Sequence, residues 1–209
     1  MKSALLLFCS GILLLSSDAS SADSIGRITS VSGDVVRIRP GVAPQGMLKS
    51  GDTIQVADLL KTGKNGRIRV LLSSAAIVSV MPGSALRISQ YTFDRGRDRM
   101  SAVVSLKEGM ARFILYKEMK GGSSLKIETD QALAQTSLAD VVADLSGGTT
   151  ALYTLAGSIS VRNCSRLIVG TIRVGENQSV TIQTTSPPTS PSVIPLQQRR
   201  KFNKDARQF

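Results

Sequence analysis

The chain of 209 residues contains no histidine and no tryptophan. The missing histidine removes the commonest general base and the commonest transition-metal ligand together. Cysteine is nearly absent as well, with only Cys9 and Cys164. Zinc sites built from Cys and His are therefore excluded by number. Cys9 falls in a segment expected to be removed, so the mature chain keeps one thiol and forms no internal disulfide. Aromatic residues make up only 4% of the chain, and the core must be built from Val, Ile, Leu and Ala. Long apolar runs are lacking too. The longest, Ala4 to Leu15, falls well short of the roughly 20 residues a membrane-spanning helix needs. No P-loop, dinucleotide fingerprint or serine elbow occurs.

That short apolar run has a clear context. It follows Lys2 and precedes the small and polar residues Ser16 to Ala22. A positive charge, a short greasy stretch and then small residues make a secretory signal. Cleavage is expected after Ala22, so residues 1–22 are read as a signal peptide and the product as a soluble periplasmic protein.

Charge is lopsided. Lys and Arg total 26 against 15 acidic residues, a formal net charge of +11. That balance favours anionic partners, although arginines on exposed strand faces also keep a β protein soluble.

From Ile25 to about Thr184, short strand-like runs alternate with turn signals. Arg67-Ile68-Arg69-Val70-Leu71-Leu72 follows Lys64-Asn65-Gly66, and Leu86-Arg87-Ile88 follows Pro82-Gly83. The period is two. Ile68, Val70 and Leu72 are expected inside, with Arg67 and Arg69 outside. The same split sets Ile38 against Arg37 and Arg39, and Ile172 and Val174 against Arg173. Glu108-Gly109 and Ala156-Gly157 read as turns between strands. Gln131 to Leu145 fits a short amphipathic helix or two strands, and its context favours strands. The expected fold is all-β, an antiparallel short-strand sandwich or β-helix-like stack. It would occupy residues 23–184.

Residues 185–209 differ. Thr184 to Pro195 is rich in proline and hydroxyl residues, which predicts an extended linker. A basic terminus with Arg199, Arg200, Lys201, Lys204 and Arg207 follows. It is expected to be a disordered tail, with a contact to a membrane surface or polyanion left open.

Several of the turn motifs resemble the periplasmic FecR domain family. Gly51-Asp52-Thr53-Ile54, then Leu60 to Ile68, is similar to its "GD.I.TG..GR" stretch. Met81-Pro82-Gly83-Ser84-Ala85-Leu86 is similar to its "P.S.L" turn. Leu106 to Phe113, Leu155 to Val161 and Val174 to Gln178 resemble the later "L..G..R", "L.G.V.V" and "V..GQ" segments. The likeness spans about Gly26 to Ile182. The family's "TP.A..G.RGT" segment is altered here, where the chain reads Thr129 to Thr136 without the proline or the Arg-Gly pair. The resemblance implies the fold and the periplasm. It does not imply sigma-factor regulation, because the cytoplasmic part and membrane span of the namesake are not seen.

The physical roles of the motif residues are structural. Gly63 and Gly66 are expected to take positive φ in tight turns. Asp52 is expected to bond nearby backbone amides, and Pro82 to lie between strands. Gly51, Gly109, Gly157 and Gly175 are read as further turn positions.

For chemistry, Asp34, Asp52, Asp58, Glu108, Glu128, Asp140 and Asp144 are scattered, mostly beside turns, which argues against a catalytic carboxylate pair. No enzyme activity, cofactor or metal is expected. Arg95, Arg97 and Arg99 form the densest basic cluster. They read first as a solvated hairpin loop, and otherwise as an anion or partner site. So few aromatics argue against nucleic acid. Cys164 reads as a buried small residue, with a reactive thiol as the alternative. The expected role is a binding or scaffold module for an envelope protein or polymer, working through sheet edges or an Arg-bearing face. The alternative is a structural envelope protein held electrostatically on anionic lipid or polysaccharide. Oligomeric state is not legible.

Overall fold

The computed structural model describes residues 24–43, 46–72, 75–116 and 123–209. The expected signal peptide lies outside them. Among the described residues, sixteen strands and one helix follow in order. The first eight are β1 (Gly26–Ser32), β2 (Val35–Ile38), β3 (Thr53–Ile54), β4 (Leu59–Thr62), β5 (Arg67–Leu72), β6 (Ala76–Val80), β7 (Ala85–Asp94) and β8 (Arg99–Leu115). Then come β9 (Ser124–Glu128), β10 (Ala132–Thr136), β11 (Ala139–Ser146), β12 (Thr149–Gly157), β13 (Ile159–Asn163), β14 (Ile172–Val174), β15 (Gln178–Gln183), β16 (Ser192–Val193) and α1 (Leu196–Ala206).

The strands form two layers. Layer A runs β3-β1-β5-β6-β8-β11-β12-β15-β16. Layer B runs β2-β4-β7-β8-β9-β10-β13-β14. Among the described residues the β8–β9 pair is the one parallel pairing. Period-two burial closes the layers over one aliphatic core. Ile68, Val70 and Leu72 from layer A share it with Leu86, Ile88 and Leu106 from layer B. The all-β reading and the strand reading of Gln131 to Leu145 both hold.

Strand β8 belongs to both layers. Its first part pairs with β7 and β9. From Gly109 onward it pairs with β6 and β11. Glu108-Gly109 is therefore not a turn between strands. It is a bend inside one strand that crosses from layer to layer, as strands do at the corners of orthogonally packed sheets. Gly109 has φ of 75°, and a Cβ there would lie 2.3 Å from Ser84 Oγ. Ser84 Oγ pins this corner by accepting from Met110 N at 2.8 Å.

The neighbouring crossing uses Gly63 and Gly66, and here the expectation of positive φ fails. Neither glycine is among the positive-φ residues. They are needed for close approach instead. A Cβ on Gly66 would lie 2.1 Å from the carbonyl oxygen of Asp34. Gly63 N donates to that same oxygen at 2.8 Å. Thr62 Oγ1 donates to Met81 O at 2.6 Å and accepts from Ser84 N at 2.9 Å. Pro82 lies in the β6–β7 turn, as expected, followed by Gly83 at φ 64°. Asp52 accepts from Lys49 N at 2.9 Å, also as expected.

Two further expectations are corrected. In β2 the alternation runs in the opposite phase: Val35 is buried, while Val36 and Ile38 face outward. Pairing of Val35 with Thr62 sets that phase. It turns Arg37 toward the margin of the sandwich, where Nη1 donates to Thr53 O at 2.7 Å. The disordered tail is also corrected. After a turn at 184–186 the segment carries only the short strand β16, but Leu196–Ala206 is a helix seated on the outer face of layer A. No helix of the described residues is long and apolar enough to cross a membrane.

Candidate functional site

The outer face of layer A carries a row of paired positions. Arg69 on β5 stands opposite Ser79 on β6, which stands opposite Arg112 on β8. Arg112 in turn faces Val142 on β11, and Val142 faces Tyr153 on β12. The cationic half and the apolar half of this row meet the two halves of α1. Phe202 is 1% exposed and packs with Val142, Leu155 and Ile194. Its ring centroid lies 4.9 Å from that of Tyr153.

Arg112 Nε and Nη2 hold Asp140 on β11 at 2.8 and 2.5 Å. Its remaining nitrogen donates to Phe202 O at 3.2 Å. Arg69 Nη2 donates to Ala206 O at 2.7 Å. Both cations therefore meet the carbonyl end of α1, where unpaired C=O groups favour positive charge. The Arg69 guanidinium also sits 4.7 Å from the Phe209 ring centroid. Burial, helped by repulsion from Arg112, lowers the Arg69 pKa. Burial raises the Tyr153 pKa, with a smaller push from Asp144. This seat was not legible in the sequence, because Arg69 reads as a solvent-facing arginine, Arg112 falls inside a strand motif, and no local signal says what covers them. The legible hints were Phe202 and Phe209, two aromatics in a charged tail.

A second ion pair is sealed at the other layer. Arg39 donates twice to Asp58, at 2.7 and 2.8 Å, and Asp58 is 0% exposed. Gln55 N also donates to Asp58 Oδ2 at 2.9 Å. The hydrogen bonds that Arg39 donates to Asp58 raise the Arg39 pKa, against the opposing effect of burial. Two of the carboxylates considered for catalysis, Asp58 and Asp140, are thus committed to arginines.

Arg95, Arg97 and Arg99 lie at and beside the β7–β8 hairpin tip, and all three are exposed. Asp94 accepts from Arg97 N at 3.1 Å and stands 3.8 Å from its guanidinium. Cys164 is exposed rather than buried, because it sits at the start of the β13–β14 loop. Its thiol donates to Thr129 O at 3.6 Å. Partial burial raises its pKa, opposed by Arg162 and reinforced by Glu128 and Asp130.

The outward face of layer B offers two features. A hydroxyl-rich groove of about 420 Å³ is lined by Ser124, Gln135, Thr136, Ser158, Ser160 and Arg173. At the opposite margin, β4 is the one strand paired with β2 among the described residues, and Val35 O on the other side accepts from Leu48 N at 3.2 Å. There Val36 and Ile38 are 41% and 49% exposed. They stand opposite Lys61 and Leu59, and Arg87 lies one strand further on. Among the described residues, no three His, Cys, Asp or Glu side chains come together as a metal site would require.

The layered architecture has solved counterparts. Two crystal structures of a putative anti-sigma factor from Parabacteroides distasonis ATCC 8503 superpose on the chain with TM-scores of 0.54 and 0.53. Both are 16% identical to it and cover 69% of it. The chain in turn covers 63% and 64% of theirs, less than two thirds of their length. At that identity the likeness establishes the fold. No family model and no curated protein matches the sequence.

Proposed function

We propose that this chain is a non-enzymatic binding module of the bacterial envelope, akin to the periplasmic FecR domain and exported by its N-terminal segment. It captures an envelope protein along the open margin of layer B. The observation that carries this reading is the β2 edge. β2 lies at the margin of the layer, where Val35 O accepts from Leu48 N at 3.2 Å, and its outward side-chain face is what remains for an incoming strand. Outward Val36 and Ile38 give that strand apolar contacts, and Lys61 and Arg87 select acidic neighbours.

Three things support it. The solved neighbours are of a regulatory or binding kind. The motifs shared with the FecR domain fall at layer crossings, so they specify a scaffold rather than a reaction. Buried Asp58 and half-buried Asp140 are held by arginines, so neither stands free as an acid or base.

A photo-crosslinking residue in place of Ile38, expressed in the full chain in bacteria, tests the reading. The expected result is a crosslink to one envelope protein, lost when Val36→Asp is added. Recovery of the protein only from the cytoplasm, or a crosslink indifferent to Val36→Asp, would refute it. Salt-dependent binding to isolated cell wall without any crosslink would favour an anionic polymer as the partner.

A further inference from the structure

The loop between β13 and β14 ends in Leu167, Ile168 and Val169. Leu167 is 94% exposed and Val169 90%, the highest values of any large apolar residue described. Single exposed leucines are ordinary on a protein surface. Two within three residues of one loop, almost wholly in water, are not.

The loop is held from below. Cys164 N donates to Gln131 O at 2.9 Å. Buried Asn163 accepts from Ser165 N at 2.7 Å and donates to Gln183 O and Ser186 O at 2.7 and 3.0 Å. Above that base the loop bonds to itself, through Ile168 N to Ser165 O at 3.3 Å and Leu167 N to Ser165 Oγ at 3.4 Å. A firm stem thus presents an apolar tip.

The tip has a cationic collar. From residue 162 to residue 173 the sequence holds Arg162, Arg166 and Arg173 and no carboxylate. All three arginines are exposed. Arg173 is steadied by Ser158 Oγ at 3.0 Å. The acids on this side are Glu128 and Asp130, which act on Cys164 at the base, and Asp130 faces Lys107 at 4.0 Å.

Aliphatic residues at a tip with arginines behind it match the layering of a bilayer, hydrocarbon below and phosphate above. We propose that Leu167 and Val169 insert into the interface of an anionic lipid bilayer, with Arg162, Arg166 and Arg173 on the headgroup phosphates. The inference goes beyond the β2 edge and stands without it, because the two surfaces share no residue.

The absence of tryptophan makes the test local. Val169→Trp in the full chain introduces a single indole at the tip. On phosphatidylglycerol vesicles its emission is expected to shift to the blue and to be quenched by brominated acyl chains. On pure phosphatidylcholine vesicles the shift is expected to be lost. Adding Leu167→Asp should weaken partitioning at least tenfold, since burying one aliphatic side chain supplies about that factor. Arg166→Gln should weaken it about fivefold, the factor expected of one basic residue near an anionic surface. Circular dichroism confirms that each variant is folded.

Co-sedimentation with the emission unchanged would mean that the protein binds through another segment, and would overturn the proposal. So would an equal shift on neutral vesicles. A shift that needs added envelope protein would assign the loop to a protein pocket instead.

Discussion

Replacing Phe202 with alanine should release the C-terminal helix and leave the sandwich standing. Phe202 belongs to a small cluster with Val142, Leu155 and Ile194, separate from the main core. Deleting a buried phenylalanine ring costs about 3–5 kcal/mol. What then holds α1 is the pair of arginine contacts to Phe202 O and Ala206 O. An eleven-residue helix is marginal alone in water, so undocking and unwinding should occur together. At the lower end of that cost, the open population rises more than a hundredfold, one factor of ten for each 1.4 kcal/mol. Native-state hydrogen exchange would read this as a matching loss of protection for amides 200–206. Trypsin would cut at Arg199, Arg200 or Lys201, with the strands still protected. The reasoning fails if those amides keep their protection. It also fails if β5, β6 and β8 open together with the helix, because the terminus would then be part of one cooperative core.

Gly109→Ala should destabilise the protein by about 2–4 kcal/mol in urea unfolding, from backbone strain and the clash with Ser84. Gly148→Ala, at φ 71° with open space around it, should cost only about 1–2 kcal/mol, and equal losses would refute the corner argument. Asp140→Asn should cost about 3–5 kcal/mol, because it leaves the Arg112 charge buried without its carboxylate; a change below 1 kcal/mol in the same assay would refute that. Cys164 should alkylate slowly at neutral pH. Its raised pKa lowers the thiolate fraction there, and the rate should still be climbing above the ordinary thiol pKa. Peptide mapping separates it from Cys9, and fast labelling at pH 7 would overturn the assignment.

Much of the fold was open to reading because β-strands alternate. Ile68, Val70 and Leu72 announce a buried face by spacing alone, and Arg87 and Arg173 announce wet ones. The glycines announced special backbone, but not which kind. Gly63 and Gly66 looked like positive-φ turns, whereas they make room for the Asp34 carbonyl arriving from the β1–β2 connection. Gly109 looked like the end of a strand, whereas it bends one. The phase of β2 was misread for the same reason: four residues carry too little pattern to outweigh the register set by Thr62.

The sequence by itself determined an all-β body, its aliphatic core and the positions where the chain must bend. It could do so because periodicity and missing side chains are local properties. Only the tertiary structure decided that β8 serves two layers, that Arg39 seals Asp58, and that the basic terminus folds back as a helix over Arg69 and Arg112. Those outcomes join residues far apart in the chain, as Arg69 and Ala206 show. Such a contact exists only after the strands between have fixed where each end of it stands.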